Sequence, residues 1–243
     1  MDTKDVLLSH MEDLAKRAAK TGCAASRFIT PADAQITAAR FAGRRDVTLS
    51  FDGGFEGAER TRAIFCNPGW GGYARAELFA ALRIEAHEPP GHRDVLGSLM
   101  ALGIEREVTG DILPGALVCL PEMAGFIAQN LERVGRLPVK LTEIRLDELP
   151  EKEETLQIKT DTVASLRLDA LIGTAFGLSR GKAAELIESG RVSLNHTQCL
   201  QGAKEAREGA VLSVRGAGRA KLLEVGGVSK KGRIFIKIGL HGR

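Results

Sequence analysis

Leu166-Arg-Leu-Asp-Ala-Leu-Ile-Gly-Thr-Ala-Phe176, Gly177-Leu-Ser179, Arg180-Gly-Lys-Ala-Ala-Glu-Leu-Ile-Glu-Ser189 and Gly190-Arg-Val-Ser-Leu-Asn195 run without interruption. They read as helix, turn, helix, strand. Leu168, Leu171, Ile172, Ala175 and Phe176 recur at helical spacing and predict one apolar face over 166–176. Gly177 ends that helix. Ser179 offers its hydroxyl as N-cap to a second helix, Arg180–Ser189, whose Ala183, Leu186 and Ile187 face inward. Gly190 stops it. Arg191–Asn195 then alternates as a strand, with a turn at His196–Gln198 and a further strand at Val211–Val214.

The position of the cations matters most here. Arg180 and Lys182 fall in the first turn of one helix and Arg167 in the first turn of the other. A helix start already carries partial positive charge and unpaired N–H groups. Added cations there work against folding, whereas an incoming anion removes that repulsion and gains hydrogen bonds. Three such bases predict a phosphate partner. The charge distribution agrees. From Asp161 to Arg243 there are 14 Lys/Arg against 7 Asp/Glu, a net of +7, which leaves −4 for Met1 to Thr160. Further on, Val225–Ile238 reads as two strands around Ser229-Lys230-Lys231-Gly232. Ile234, Ile236 and Ile238 share the face expected to pack, leaving Lys230, Lys231 and Arg233 at an exposed tip.

Toward the N-terminus the pattern is mixed. Val6–Lys20 is an amphipathic helix and Pro31–Ala42 a second, with Pro at its first position. Asp46–Phe51, Ala63–Phe65, Leu78–Glu85, Leu117–Leu120 and Val139–Ile144 read as strands, Asp94–Leu102 and Pro121–Val134 as helices. The fold class is therefore α/β in the broad sense, α+β in arrangement. Leu146–Thr160 is acidic and poor in apolar residues at its centre, so it is taken as a boundary; the alternative makes Glu154–Thr160 an edge strand. The expected division is 1–75, 76–150, a linker at 151–162, and 163–243.

Composition excludes several classes. Hydrophobic residues at 44% can bury cores, and aromatics at 5% argue against a surface built mainly on base stacking. No stretch approaches a membrane span and no secretory signal opens the chain, so a cytoplasmic protein with no membrane partner is expected. Cys23, Cys66, Cys119 and Cys199 are far apart in sequence and predict four reduced thiols rather than a metal site. His92-Arg93-Asp94 matches a kinase catalytic tripeptide, but no Asp-Phe-Gly follows. Gly69-Trp70-Gly71-Gly72 and Gly53-Gly54 lack nucleotide-binding spacing and read as turns. No cofactor, metal, catalytic residue or small-molecule substrate is assigned.

Arg167-Leu-Asp169, Ser179-Arg180-x-Lys182-Ala183, Leu186-Ile187-x-x-Gly190-x-Val192-x-x-Asn195, Gly209 and Val214-Arg215-Gly216-x-Gly218 resemble the RNA-binding domain of small-subunit ribosomal protein S-four. Ala210 stands where that family usually has Asp. The resemblance implies an RNA face of Arg167, Ser179, Arg180, Lys182, Arg191, Arg215 and Arg219, which binds folded RNA through shape and backbone. His92–Ile112 with Val134-Gly-Arg-x-Pro-Val-Lys140 is similar to the central part of the bacterial YlmH family, and together with the C-terminal match the resemblance spans most of Ile64–Ile238. That likeness implies an RNA-recognition-motif-like central fold. It also implies association with the large ribosomal subunit, its ribosomal RNA and peptidyl-tRNA, in rescue or quality control of stalled ribosomes. The runner-up is an RNA-modifying enzyme such as a pseudouridine synthase, for which Asp94 and Asp111 are the only candidate catalytic acids.

Overall fold

The computed structural model describes residues 3–150 and 156–241, and the chain divides into two compact units, Met1–Lys152 and Glu153–Arg243. In the first unit the elements are α1 (Thr3–Thr21), β1 (Cys23–Ile29), α2 (Pro31–Phe41), β2 (Thr48–Asp52), β3 (Thr61–Cys66), α3 (Arg75–Leu78) and β4 (Ala80–Glu85). There follow α4 (His92–Ala101), β5 (Thr109–Leu113), β6 (Ala116–Cys119), α5 (Pro121–Asn130), β7 (Arg133–Val134), β8 (Leu137–Pro138) and β9 (Lys140–Ile144). Met11, Leu14, Ala15 and Ala18 bury one face of α1. Thr30 caps α2, accepting the Asp33 N–H while the Asp33 carboxylate accepts the Thr30 N–H.

The strands form an antiparallel sheet of order β1-β3-β2 and a second of order β5-β6-β4-β9. With α4 and α5 as crossovers, the second follows β-α-β-β-α-β connectivity, with its first and third strands central. That is the RNA-recognition-motif-like topology expected for the central region. The boundary expected at 75/76 does not separate two cores, because Phe28, Ile64 and Cys66 pack in one cluster with Leu82, Leu117 and Ile127. Arg60 links the halves, donating to the carbonyls of Phe28 (3.2 Å), Thr109 (3.2 Å) and Arg106 (3.1 Å). Burial and the nearby charge of Arg60 push Arg106 down to about 10. Two strands depart from the sequence reading. β1 is rich in Ala and Ser, and β5 contains Gly110 and Asp111; tertiary pairing overrides weak strand preference in both. The helix expected to reach Val134 stops at Asn130, and a two-residue hairpin, β7–β8, follows. Cys23 and Cys66, far apart in sequence, are cross-strand partners with Sγ atoms 2.7 Å apart.

The second unit holds β10 (Leu156–Val163), α6 (Leu168–Phe176), α7 (Arg180–Glu188), β11 (Val192–Leu194), β12 (Thr197–Gln198), β13 (Val211–Val214), β14 (Gly218–Val228) and β15 (Ile234–His241). Its antiparallel sheet has the order β10-β15-β14-β13-β11-β12. Leu168, Leu171, Ile172, Ala183 and Ile187 pack on Val192, Leu212, Ala220, Leu222, Ile236 and Ile238. Each fully buried Val, Leu or Ile among them contributes roughly 1.5–3 kcal/mol. Gly177 ends α6 at φ +66°, a left-handed conformation that favours glycine. The turn after β11 falls on Asn195 and His196, both at positive φ, one residue earlier than expected, because this two-residue hairpin needs left-handed backbone at both positions.

The expected linker at 151–162 is corrected. Leu156–Val163 pairs with β15 along its whole length, from Leu156↔His241 to Val163↔Ile234, and forms the sheet's edge strand. An edge strand needs only one apolar contact line, so its polar composition resembles a linker. Residues 151–155, including Glu154 and Thr155 of the alternative strand reading, lie outside the described residues.

Candidate nucleic-acid interface

The interface is built around Asp169. Its side chain is 7% exposed, and its carboxylate accepts two hydrogen bonds from Arg167, Nε at 3.2 Å and Nη2 at 2.7 Å. Arg180 approaches the same carboxylate at 3.4 and 3.5 Å. Hydrogen bonding from Arg167, with the nearby charge of Arg180, holds the Asp169 carboxyl below the usual carboxylate range. Two guanidiniums on one carboxylate leave one positive charge in excess. Arg180, 63% exposed and at the long limit of hydrogen bonding, is the looser of the two.

The two helix starts differ. Arg167 occupies the N-cap of α6, one position before its first turn. The N–H groups of Leu168 and Asp169 already donate to the carbonyls of Lys204 (2.8 Å) and Gly202 (3.1 Å). The α6 start is therefore closed by the loop 200–209, contrary to the expectation of unpaired N–H groups there. At α7, Ser179 Oγ accepts the Lys182 N–H at 3.2 Å, so Ser179 serves as a cap. Gly181 is open: an added Cβ there would meet nothing within 4 Å. Arg180 and Lys182 flank this bare stretch of backbone. Lys182 Nζ pairs with Glu185 at 2.9 Å, an exposed helical pair of small energetic weight. The same loop brings exposed Lys204 beside Arg167. Sequence reading passed over Lys204 because the loop has no periodicity to place it.

The other expected residues fall elsewhere. Arg191 Nη2 donates to the Arg215 carbonyl (2.9 Å), and the Arg215 N–H donates to the Arg191 carbonyl (2.8 Å). Arg219 follows on β14, opposite Ser213. This group lies near the C-terminal end of α6, where Phe176 comes within 3.8 Å of a Cβ added at Gly218. Lys230 and Lys231 are exposed on the β14–β15 turn. Arg233 is corrected: rather than projecting from the tip, it donates to the Thr162 hydroxyl (2.9 Å) and carbonyl, tying the turn to β10. The ten expected residues thus form separate groups rather than one patch. The groups at the two ends of β14 are roughly 30 Å apart along the strand.

In the central sheet, β4 and β6 carry no aromatic residue on either face. Ala81 and Val118, register partners on one face, are fully buried. The stacking platform typical of RNA-recognition motifs is therefore absent from these two strands. Asp111, a candidate catalytic acid, accepts the backbone N–H groups of Glu59 (2.8 Å) and Arg60 (2.9 Å). Asp94 sits exposed in the first turn of α4. Among the described residues, no cluster of His, Cys, Asp or Glu could hold a metal ion, and no helix is long and apolar enough to cross a membrane.

Residues 88–148 match the family model described as "Putative RNA-binding domain in YlmH". A Bacillus subtilis (strain 168) protein, "Ribosome-associated protein quality control protein P2", is 32% identical over 212 residues, covering 84% of this chain and 82% of its own length. A solved structure, "Cell division protein ylmH from Streptococcus pneumoniae", aligns with a TM-score of 0.53 at 18% identity, over 62% of this chain and 97% of that one. The structural likeness bears on the fold alone; the sequence identity and its coverage decide the family. The chain belongs to the YlmH family.

Proposed function

We propose that this protein is a non-enzymatic RNA-binding factor that acts on the ribosome, in quality control of stalled ribosomes. The observation that carries the reading is the start of α7. There a stretch of backbone open at Gly181 is flanked by Arg180 and Lys182, with Arg167 held alongside on the Asp169 carboxylate that Arg180 also approaches. Such a site takes a phosphate of folded RNA, not a reacting small molecule. The name of the Bacillus relative supports the ribosomal setting. The finer reading is the large subunit, with ribosomal RNA and peptidyl-tRNA as ligands, in the cytoplasm. The occupied carboxylate of Asp111 speaks against the pseudouridine-synthase alternative.

The test is co-sedimentation of the full chain with large and small ribosomal subunits, with cross-link mapping of the RNA contacted. Specific contacts on large-subunit RNA and tRNA support the reading. Uridine isomerisation by the purified chain, or no association with either subunit at low salt, rejects it.

A further inference from the structure

Trp70 is the single tryptophan of the chain and is 54% exposed. Loop residues are often exposed, but this one is held. A Cβ added at Gly22 would lie 2.4–2.6 Å from three adjacent atoms of the six-membered ring, so the indole lies face-on against the Gly22 backbone. Gly22 also has φ +97°, so conformation and space both demand glycine there. Asn67 fixes the loop. Its N–H donates to the Gly22 carbonyl (2.8 Å) and its Nδ2 to the Ala19 carbonyl (3.3 Å). Its own Oδ1 accepts the Gly69 N–H (3.1 Å), and its carbonyl accepts the Trp70 N–H (2.8 Å). One face of the indole is thus pressed on backbone.

The surroundings are cationic. Residues 14–28 contain Lys16, Arg17, Lys20 and Arg27 and no acid, and residues 60–76 contain no Asp or Glu. Lys16 pairs with Asp13 and Arg27 with Glu105, which leaves Arg17 and Lys20, of these four, without a carboxylate partner among the described residues. Arg17 and Lys20 are exposed in the last turns of α1, next to Gly22. A rigid, half-exposed aromatic beside unneutralised cations matches the two halves of an unpaired nucleotide, a flat base and a phosphate.

We propose that Trp70 is a stacking platform for one unpaired RNA base, with Lys20 and Arg17 taking the adjoining phosphate. This adds a contact in the first unit, distinct from the one at α7, and rests on the reading of the chain as RNA-binding. Stacking energy is sequence-tolerant, so the platform would register any exposed base rather than a given sequence.

Trp70 is its own reporter. The full chain would be titrated with hexa-adenylate and with an abasic hexamer carrying the same phosphates. The expected result is quenching of tryptophan emission by the first and not by the second. Hexa-adenylate affinity, followed by anisotropy of a labelled oligomer, should fall at least about fivefold in Trp70→Ala, as expected for one stacked base. Trp70→Phe should recover part of it, and Lys20→Gln should reduce the salt dependence. Equal binding of both hexamers with unchanged emission overturns the proposal. So does a change in emission caused by RNA-free ribosomal proteins but by no RNA, which would mark a protein contact. The Arg180→Ala/Lys182→Ala chain separates the two sites. Loss of structured-RNA binding there with quenching retained supports both readings. Structured-RNA binding without quenching in the parent chain sinks the platform alone, and quenching with no structured-RNA binding sinks the α7 reading alone.

Discussion

Replacing Arg180 and Lys182 together by alanine should weaken RNA binding most at low salt and leave the fold intact. Arg180 is held only by long contacts to Asp169, and Lys182 only by an exposed pair with Glu185. Neither anchors the core, and both sit where cations oppose the helix dipole, so the melting temperature should not fall. If each cation meets one phosphate, its removal lowers the slope of log affinity against log salt by roughly 0.7–0.9. Two contacts therefore change the slope by about 1.4–1.8, and over a fourfold rise in salt this is about one decade. A deficit measured at 50 mM salt should then shrink about tenfold by 200 mM. The assay is a salt series of equilibrium titrations on folded ribosomal RNA, with unfolding followed in parallel. Unchanged affinity and slope at equal melting temperature would refute the α7 site.

Gly181→Asp should separate folding from binding: it fills an open helical position with a better helix former whose charge suits the dipole, so melting should rise slightly while RNA affinity collapses. Equal or improved RNA binding would contradict the phosphate position. For Asp169 the folded pKa is depressed, so its contribution to stability is present above the unfolded value of about 3.9 and is lost as pH falls through the folded value. Asp169→Asn should accordingly melt earlier than the parent at pH 7, and the difference should close in acid; a pH-independent gap means that the carboxylate charge is not what matters. Cys23 and Cys66 should form a disulfide when treated with glutathione disulfide, each protein thiol losing its proton and two glutathione thiols being released. Burial, with the contact to Cys66, pushes the Cys23 thiol up to about 12, so exchange should be slow at pH 7 and faster at pH 9. Peptide mapping that finds only mixed disulfides with glutathione would count against the contact.

Much of the second unit was legible because its signals are local. The apolar spacing of Leu168, Leu171 and Ile172, the Ser179 cap and the Gly177 and Gly190 stops act within a few residues, and α6 and α7 follow them closely. β1 was not legible, since Ala24 and its neighbours become strand only by pairing with β3, as in Ala24↔Phe65. β5 pairs with adjacent β6, but Gly110 and Asp111 sit at a register irregularity and break the alternation that would mark a strand. β10 was hidden by its acidic surroundings and declares itself only against β15, some 75 positions downstream. The site followed the same rule. The cations at the helix starts could be read, but what they touch could not: Lys204 closes α6 from a distant loop, and Arg233 reaches Thr162 across 71 positions.

The tethers look like competitors of RNA, but donor counts argue the reverse. A guanidinium has five N–H donors. Arg167 spends its Nε and one Nη2 donor on Asp169, and Arg191 uses Nη2 to reach the Arg215 carbonyl. Donors remain on both, while the side chains are already fixed. Ordering a free, rotamer-rich side chain at an interface costs roughly 0.5–1.5 kcal/mol, and a tethered one avoids part of that cost. The two groups stand near opposite ends of α6, whose nine residues span about 13 Å. Cations fixed at a set spacing favour an RNA whose phosphates present that same spacing. On the RNA-binding reading, discrimination in the second unit therefore comes from the distance between tethered cations rather than from base edges. Lengthening α6 would then impair recognition more than neutralising any one arginine.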